Sequence, residues 1–409
     1  MKKTVWMFCA VSLLLCLSAE AQVKRGGYVF VDECIAPSTP PRGQGRTGTC
    51  WNFSGVALIE SELLRTGKGE YDLSEMWIVR HAFIEKANHF VRRSRPRSPN
   101  SGGQFDCLYV FGKHGIVPEE VYKGLNYGTS IHRHSEFSSV VNGFVQGAGK
   151  TRPLSNVWKD ALNGILDAYL GEKPEKFTYK GKEYTPQSFS EELGININDF
   201  VCFTSCTHHP YYSLFEGENS GNWLSTLYYN LPLDELMDMM TNAIENGYSI
   251  HWNADITNPG YCKELGICVY PVTSMDEIPA NKRAEWAGWT DEQLQELGDR
   301  ENKGKCFTRP VVEKQVTDES RQQALDGMTT AENHAMHIMG LCRDQNGVRY
   351  YKIKNSAHGQ GGIYEKGDYY YCSYPYMRQY TIGIMLHKDG VSAEIAAKIG
   401  LNNKNNPAK

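Results

Sequence analysis

An α+β fold is predicted for this chain of 409 residues. Apolar residues recur at helical spacing through the first half, whereas short alternating or aromatic-rich segments dominate the second. Helices grouped ahead of strands, rather than alternating with them, point to segregated layers. The first helix opens at Cys50 and places Phe53, Val56, Leu58, Ile59 and Leu63 at helical spacing. A second follows Asp72-Leu73-Ser74-Glu75 and runs toward Phe90; a third, over 104–114, carries Leu108 and Phe111 on one side. From 118 to about 198 the pattern is mixed, polar and broken by Gly and Pro, with a helical piece at 157–170, and reads as an insertion. An amphipathic helix over 233–246 then precedes strands at 248–254, 266–271, 335–342, 349–354, 369–372 and 380–386. A charged helical stretch is expected over 275–299, and the Pro- and Gly-rich segment 22–49 reads as strand-poor.

Composition narrows the function classes. With 41% hydrophobic residues the chain can bury a large core. Its 43 basic and 47 acidic residues carry no polyanion-binding signal, and no nucleic-acid partner is expected. The local run Arg92-Arg93-Ser94-Arg95-Pro96-Arg97 reads as a solvated loop. Lys2-Lys3, an apolar stretch over 5–17 and Ala19-Glu20-Ala21 together read as a secretory signal peptide over 1–21, cleaved after Ala21. Export, with the periplasm as destination, is the expectation, and no other stretch is long and apolar enough to span a bilayer. Cys9 and Cys16 would leave with the leader. Most remaining cysteines are expected to be buried thiols, although Cys202 with Cys206, or Cys262 with Cys268, are near enough in sequence to pair.

The chemistry concentrates at Gln44-Gly45-Arg46-Thr47-Gly48-Thr49-Cys50-Trp51-Asn52-Phe53-Ser54. A thiol in the first turn of a helix has its thiolate stabilised by the helix dipole and the free N–H groups there. Gln44 could turn its amide toward the same point as an oxyanion donor. A thiolate needs a base, and the base an orienting partner. His334 in Asn333-His334-Ala335-Met336-His337 sits on one strand, and Asn355 ends a second strand after Tyr350-Tyr351-Lys352-Ile353-Lys354. Paired antiparallel, those strands would set His334 beside Asn355, whose amide oxygen would fix the tautomer facing Cys50. The cluster Cys202, Cys206, His208, His209 fits no usual zinc spacing, so neither a metal nor another cofactor is expected.

This pattern resembles the papain-like cysteine peptidases, and within them the bleomycin hydrolase and aminopeptidase C branch. Further segments carry the resemblance: Ser101-Gly102-Gly103-Gln104-Phe105-Asp106, His208-His209-Pro210-Tyr211-Tyr212, and Trp252-Asn253-Ala254-Asp255. It implies a papain-like two-lobe fold with a large, mostly helical insertion. A helical lobe at 22–115 would hold the nucleophile, and an accessory region would occupy 116–232. A β lobe at 233–390 would hold His334 and Asn355, with a C-terminal helix and tail at 391–409. Cys50, His334, Asn355 and Gln44 become the catalytic residues, and Gly102 and Gly103 a backbone edge that binds peptide. The implied activity is peptide hydrolysis, aminopeptidase before endopeptidase, with peptide substrates and a homo-oligomer, a hexamer in this branch. Residues 22–49 leave no room for the long inhibitory propeptide of secreted relatives. One departure stands out: Asn355-Ser356 is followed by Ala357-His358-Gly359, where papain-like enzymes carry Trp-Gly to shield the His–Asn hydrogen bond. The alternatives are another Cys–His hydrolase, or a non-catalytic periplasmic binding or scaffold protein that keeps the fold.

Overall fold

The computed structural model describes residues 22–93, 101–219, 221–299, 301, 307–356 and 369–401. The leader, Ala357-His358-Gly359 and the tail from 402 lie outside the described residues, as does most of the basic run after Arg93. The chain opens with β1 (Gln22–Arg25) and β2 (Tyr28–Ile35), followed by α1 (Cys50–Arg65), α2 (Glu75–Arg93) and α3 (Asp106–His114). Next come α4 (Ser135–Lys150), α5 (Val157–Leu170), the hairpin β3 (Phe177–Tyr179) with β4 (Lys182–Tyr184), and α6 (Pro186–Leu193). Then follow β5 (Phe200–Thr204), β6 (Leu214–Glu216), β7 (Leu227–Asn230), α7 (Leu233–Glu245) and β8 (Ile250–Ala254). The remaining elements are β9 (Tyr261–Cys262), β10 (Ile267–Cys268), α8 (Asp291–Gly298), α9 (Asp318–Asp326), β11 (His334–Arg343) and β12 (Arg349–Lys354), then β13 (Tyr369–Ser373), α10 (Tyr374–Tyr380), β14 (Thr381–His387) and α11 (Ala393–Lys398). The α+β class holds, and no helix among the described residues is long and apolar enough to cross a membrane.

A twelve-stranded sheet runs β6-β7-β5-β14-β8-β11-β12-β13-β10-β9, with β2 added on β11 and β1 on β2. The long strand β11 is its hub. His334 to Ile338 pair with β8, Gly340 to Arg343 pair with β2, and β12 lies antiparallel along the other edge. Helix α1 lies across β11 and is buried on all sides from Trp51 to Leu63. It is therefore a central rod rather than an amphipathic surface helix, and its buried polar side chains find partners. Asn52 Nδ2 donates to the Glu75 carbonyl at 2.7 Å, and Ser54 Oγ donates to the Met336 carbonyl at 2.6 Å.

Three expectations change. Residues 22–49 are not strand-poor: Gly26, at φ 53°, turns a hairpin whose Tyr28 and Phe30 point alternately into the core. The Pro and Gly that suggested loop all follow Ile35, apart from the two glycines of the turn. The region 116–232 is not one accessory unit. Its α4, α5 and α6 share a single core with α1, α2 and α3, while β5, β6 and β7 join the large sheet. In 275–299 only Asp291–Gly298 is α-helical, because Pro279 and Gly288 (φ 87°) interrupt the turns before it. Cys202 and Cys206 remain separate thiols, and across the sheet Cys268 lies opposite Cys372 rather than Cys262.

Phe30 is 1% exposed, stacks on Tyr371 at 4.1 Å and meets Tyr350 edge-on. Phe30→Ala should therefore destabilise the chain by about 3–5 kcal/mol in urea unfolding followed by near-UV circular dichroism. An unchanged midpoint would mean that the hairpin is not part of the folded unit.

Candidate active site

Helix α1 begins at Cys50 itself, so the thiol occupies the first turn, where backbone N–H groups have no intrahelical partner. His334 is the first residue of β11, and Asn355 directly follows β12. The structure brings the three together. His334 Nε2 lies 2.8 Å from Asn355 Oδ1, and the Cys50 thiol is electrostatically coupled to the same ring. Hydrogen-bond chemistry assigns the atoms. The Ser356 backbone N–H, which can only donate, lies 2.8 Å from the same Asn355 Oδ1, so that atom is the carbonyl oxygen. His334 Nε2 must then be the donor, which leaves Nδ1 for the Cys50 sulfur.

Electrostatics act in the same direction. Burial works against ionising Cys50, but the His334 charge and hydrogen bond, helped by the Ala335 and Trp51 N–H groups, outweigh it. The thiol therefore titrates below its ordinary value. Burial likewise pushes His334 down, yet Cys50 and the Asn355 hydrogen bond raise it above the ordinary imidazole value. Both shifts favour a thiolate–imidazolium pair. On the neighbouring strand, His251 Nε2 also lies 3.0 Å from an asparagine oxygen, Asn253 Oδ1, yet burial holds that ring down to about 3. His337 faces the opposite side of β11, near Ser61, and is also pushed down by burial.

Gln44 is tied to the same network. Its Nε2 donates to the Thr47 carbonyl at 2.7 Å, and its Oε1 accepts from Ser356 Oγ at 2.6 Å. One amide proton is thus engaged within the loop before Cys50, and the second makes no hydrogen bond among the described residues. Gly102 and Gly103 do not form an open backbone edge. Gly102 lies under the Trp51 indole, where an added Cβ would stand 2.5 Å from the ring. Gly221 packs against the Gly102 carbonyl, and the Trp223 indole N–H donates to Asp106. The glycines serve close packing here, and Gly221 and Asn222 cover them.

Sequence reasoning missed Tyr261. Its hydroxyl accepts from Asn355 Nδ2 at 3.1 Å, and its ring stacks on Tyr370 with centroids 5.2 Å apart. Tyr370 thus stands one layer behind Asn355, with Tyr261 between them. No local motif marks Tyr261, because it comes from β9 across the sheet. Asp255 also gains a role: its carboxylate accepts from the Ala331 N–H at 3.0 Å and from Asn333 Nδ2 at 2.7 Å, holding the approach to His334.

His208, His209 and Glu218 gather one possible ligand atom each within 4.8 Å. The surrounding bonds argue against a metal there. The Thr207 N–H donates to Gln322 Oε1 at 2.7 Å, so Gln322 presents its NH₂ to His208 Nδ1 at 2.9 Å. His208 Nε2 must therefore carry the proton that it donates to Glu218, and it has no lone pair for a cation.

Asn355→Ala removes one hydrogen bond to a charged ring, so it should slow the reaction at Cys50 by roughly tenfold to a hundredfold. It should also move the alkaline limb of the kcat/KM profile toward lower pH, because the imidazolium loses a stabilising partner. Tyr261→Phe should give a milder loss, roughly threefold to tenfold, with the same direction of shift. Profiles superimposable on that of the parent would refute the relay from Tyr261 to His334.

No family model matches the chain. It is 24% identical to human bleomycin hydrolase over 292 residues, covering 59% of this chain and 64% of that protein. The chain thus spans just under two thirds of the length of that relative. It is 22% identical to aminopeptidase C of Streptococcus thermophilus over 399 residues, 86% of this chain and 81% of the relative. Among solved structures, PepW from Lactobacillus rhamnosis superimposes with a TM-score of 0.64 at 18% identity, over 92% of this chain and 86% of the other. That likeness speaks for the fold, and the sequence matches speak for descent: the chain has a papain-like fold and is a distant homologue of bleomycin hydrolase and the aminopeptidases C over most of its length.

Proposed function

We propose that this chain hydrolyses peptide bonds through a Cys50 acyl-enzyme, with aminopeptidase action as the preferred mode. The observation that carries the reading is the assigned tautomer: Asn355 Oδ1 accepts from His334 Nε2, which turns Nδ1 to Cys50. In the proposed cycle the Cys50 thiolate attacks the peptide carbonyl carbon, and the carbonyl oxygen becomes an oxyanion. The Cys50 backbone N–H and the second amide proton of Gln44 would hold that charge. The imidazolium of His334 gives its Nδ1 proton to the leaving amine as the C–N bond breaks. The neutral ring then takes a proton from water as the water oxygen attacks the thioester carbon; the C–S bond breaks, the acyl group leaves as its carboxylic acid, and the thiolate–imidazolium pair returns.

The names of the relatives support the aminopeptidase mode, since aminopeptidases C, G and E match more than four fifths of this chain. The leader-like Lys2–Ala21 supports placement outside the cytoplasm, and the hexamer of the branch is carried as part of the proposal. Free and N-acetylated peptides incubated with the enzyme, with Cys50→Ser as control, test it by mass spectrometry of products. Stepwise release of amino-terminal residues from free peptides alone is expected. Internal cuts in acetylated peptides would replace this mode by endopeptidase action, and no product from either would overturn the peptidase reading. Against pH, kcat/KM should rise through the lowered Cys50 titration and fall only above the ordinary imidazole value, because His334 is raised.

A further inference from the structure

We propose that Glu332 makes the cavity beside the reaction centre a site for a basic substrate side chain, lysine or arginine. This rests on the peptidase reading above. Glu332 stands two residues before His334, and the cavity that it lines has a volume of about 300 Å³. Phe215, Leu325 and Ile382 supply apolar wall, while Glu218, Asp326 and Glu332 supply carboxylates. A long aliphatic stem ending in a cation matches that mixture better than a wholly apolar or an acidic side chain.

The three carboxylates are not equivalent. Glu218 is bonded to His208 and His209, and Asp326 accepts from Gln322 Nε2 at 2.7 Å. Glu332 accepts at Oε1 from Asn253 Nδ2, while its buried Oε2 has no hydrogen-bond partner. Arg321 also reaches the cavity, but its guanidinium donates to the carbonyls of Ser205, Arg378, Gln379 and Thr381. Four carbonyl dipoles thus hold that cation, and Glu332 Oε2 is left as the acceptor for a ligand. Burial, then the charges of Cys50 and Asp106, raise the Glu332 carboxyl to about 8, which an incoming cation would relieve. An apolar side chain in the same place would leave Oε2 buried and unpaired, so discrimination of roughly tenfold to a hundredfold is expected.

The test uses alanine-based peptides that carry one Arg, Lys, norleucine or Glu, scanned by position, against the full chain. Binding is read by calorimetry in the Cys50→Ala background, and kcat and KM with Cys50 intact. At one position Arg and Lys should bind at least about tenfold tighter than norleucine, with a free or an acetylated amino terminus. Glu332→Gln should abolish that preference through KM, while Glu332→Lys should turn the preference toward Glu. A preference that survives in both variants overturns the proposal. So does a loss confined to peptides with a free amino terminus whatever the side chain, which would assign Glu332 to the α-ammonium group. Should no peptide be hydrolysed, a Glu332-dependent binding preference in the Cys50→Ala background would still uphold the cation site while the peptidase reading fell.

Discussion

The site depends on one docking: the amino end of α1 held against the first residues of β11. Cys50 and Ser54 are four residues apart and so share a helix face. Ser54 Oγ bonds the Met336 carbonyl, and Met336 is two residues beyond His334. Four helical residues rise about 6 Å and two strand residues span about 6.6 Å. The two steps nearly match, so anchoring Ser54 at Met336 sets Cys50 opposite His334. The helix end that stabilises a thiolate is thereby aimed at the ring that can share its proton.

A chain of hydrogen bonds then makes that geometry specific. Gln44 Oε1 accepts from Ser356 Oγ, the Ser356 N–H and His334 Nε2 both donate to Asn355 Oδ1, and Asn355 Nδ2 donates to Tyr261. Each bond removes an alternative orientation from its neighbour, so the tautomer of His334 follows from donors that cannot reverse. The relay crosses from the loop before α1 to β12 and β9, and links the oxyanion candidate to the base. Burial on the sheet makes every member costly to leave unpaired, which is why the network acts as a unit.

Much of this was legible in the chain. A cysteine opening an apolar helical run, a histidine beginning an alternating strand and an asparagine closing the next are local patterns, and the antiparallel pairing of β11 with β12 agrees with them. The first hairpin was not legible, because its eight-residue second strand mixes Asp32 and Glu33 among the apolar residues and precedes a Pro-rich stretch. Nor was the sharing of 116–232 between helical core and sheet, since local periodicity does not say which surface an element will cover. Glu332 has no motif at all. Its interest comes from a buried oxygen without a partner, which only packing reveals.

The sequence by itself determined the reactive types and their order: a helix-opening thiol, a strand histidine and a strand-end asparagine, with the glutamine upstream. These are short-range facts, set by spacing and backbone preference. Tertiary structure alone decided that Gly102 is covered by Trp51 and Gly221, that Tyr261 backs the asparagine, and that Glu332 stands over a cavity. Those contacts join residues far apart in the chain, and they arise from how sheet and helices exclude water together. No spacing along one segment encodes them.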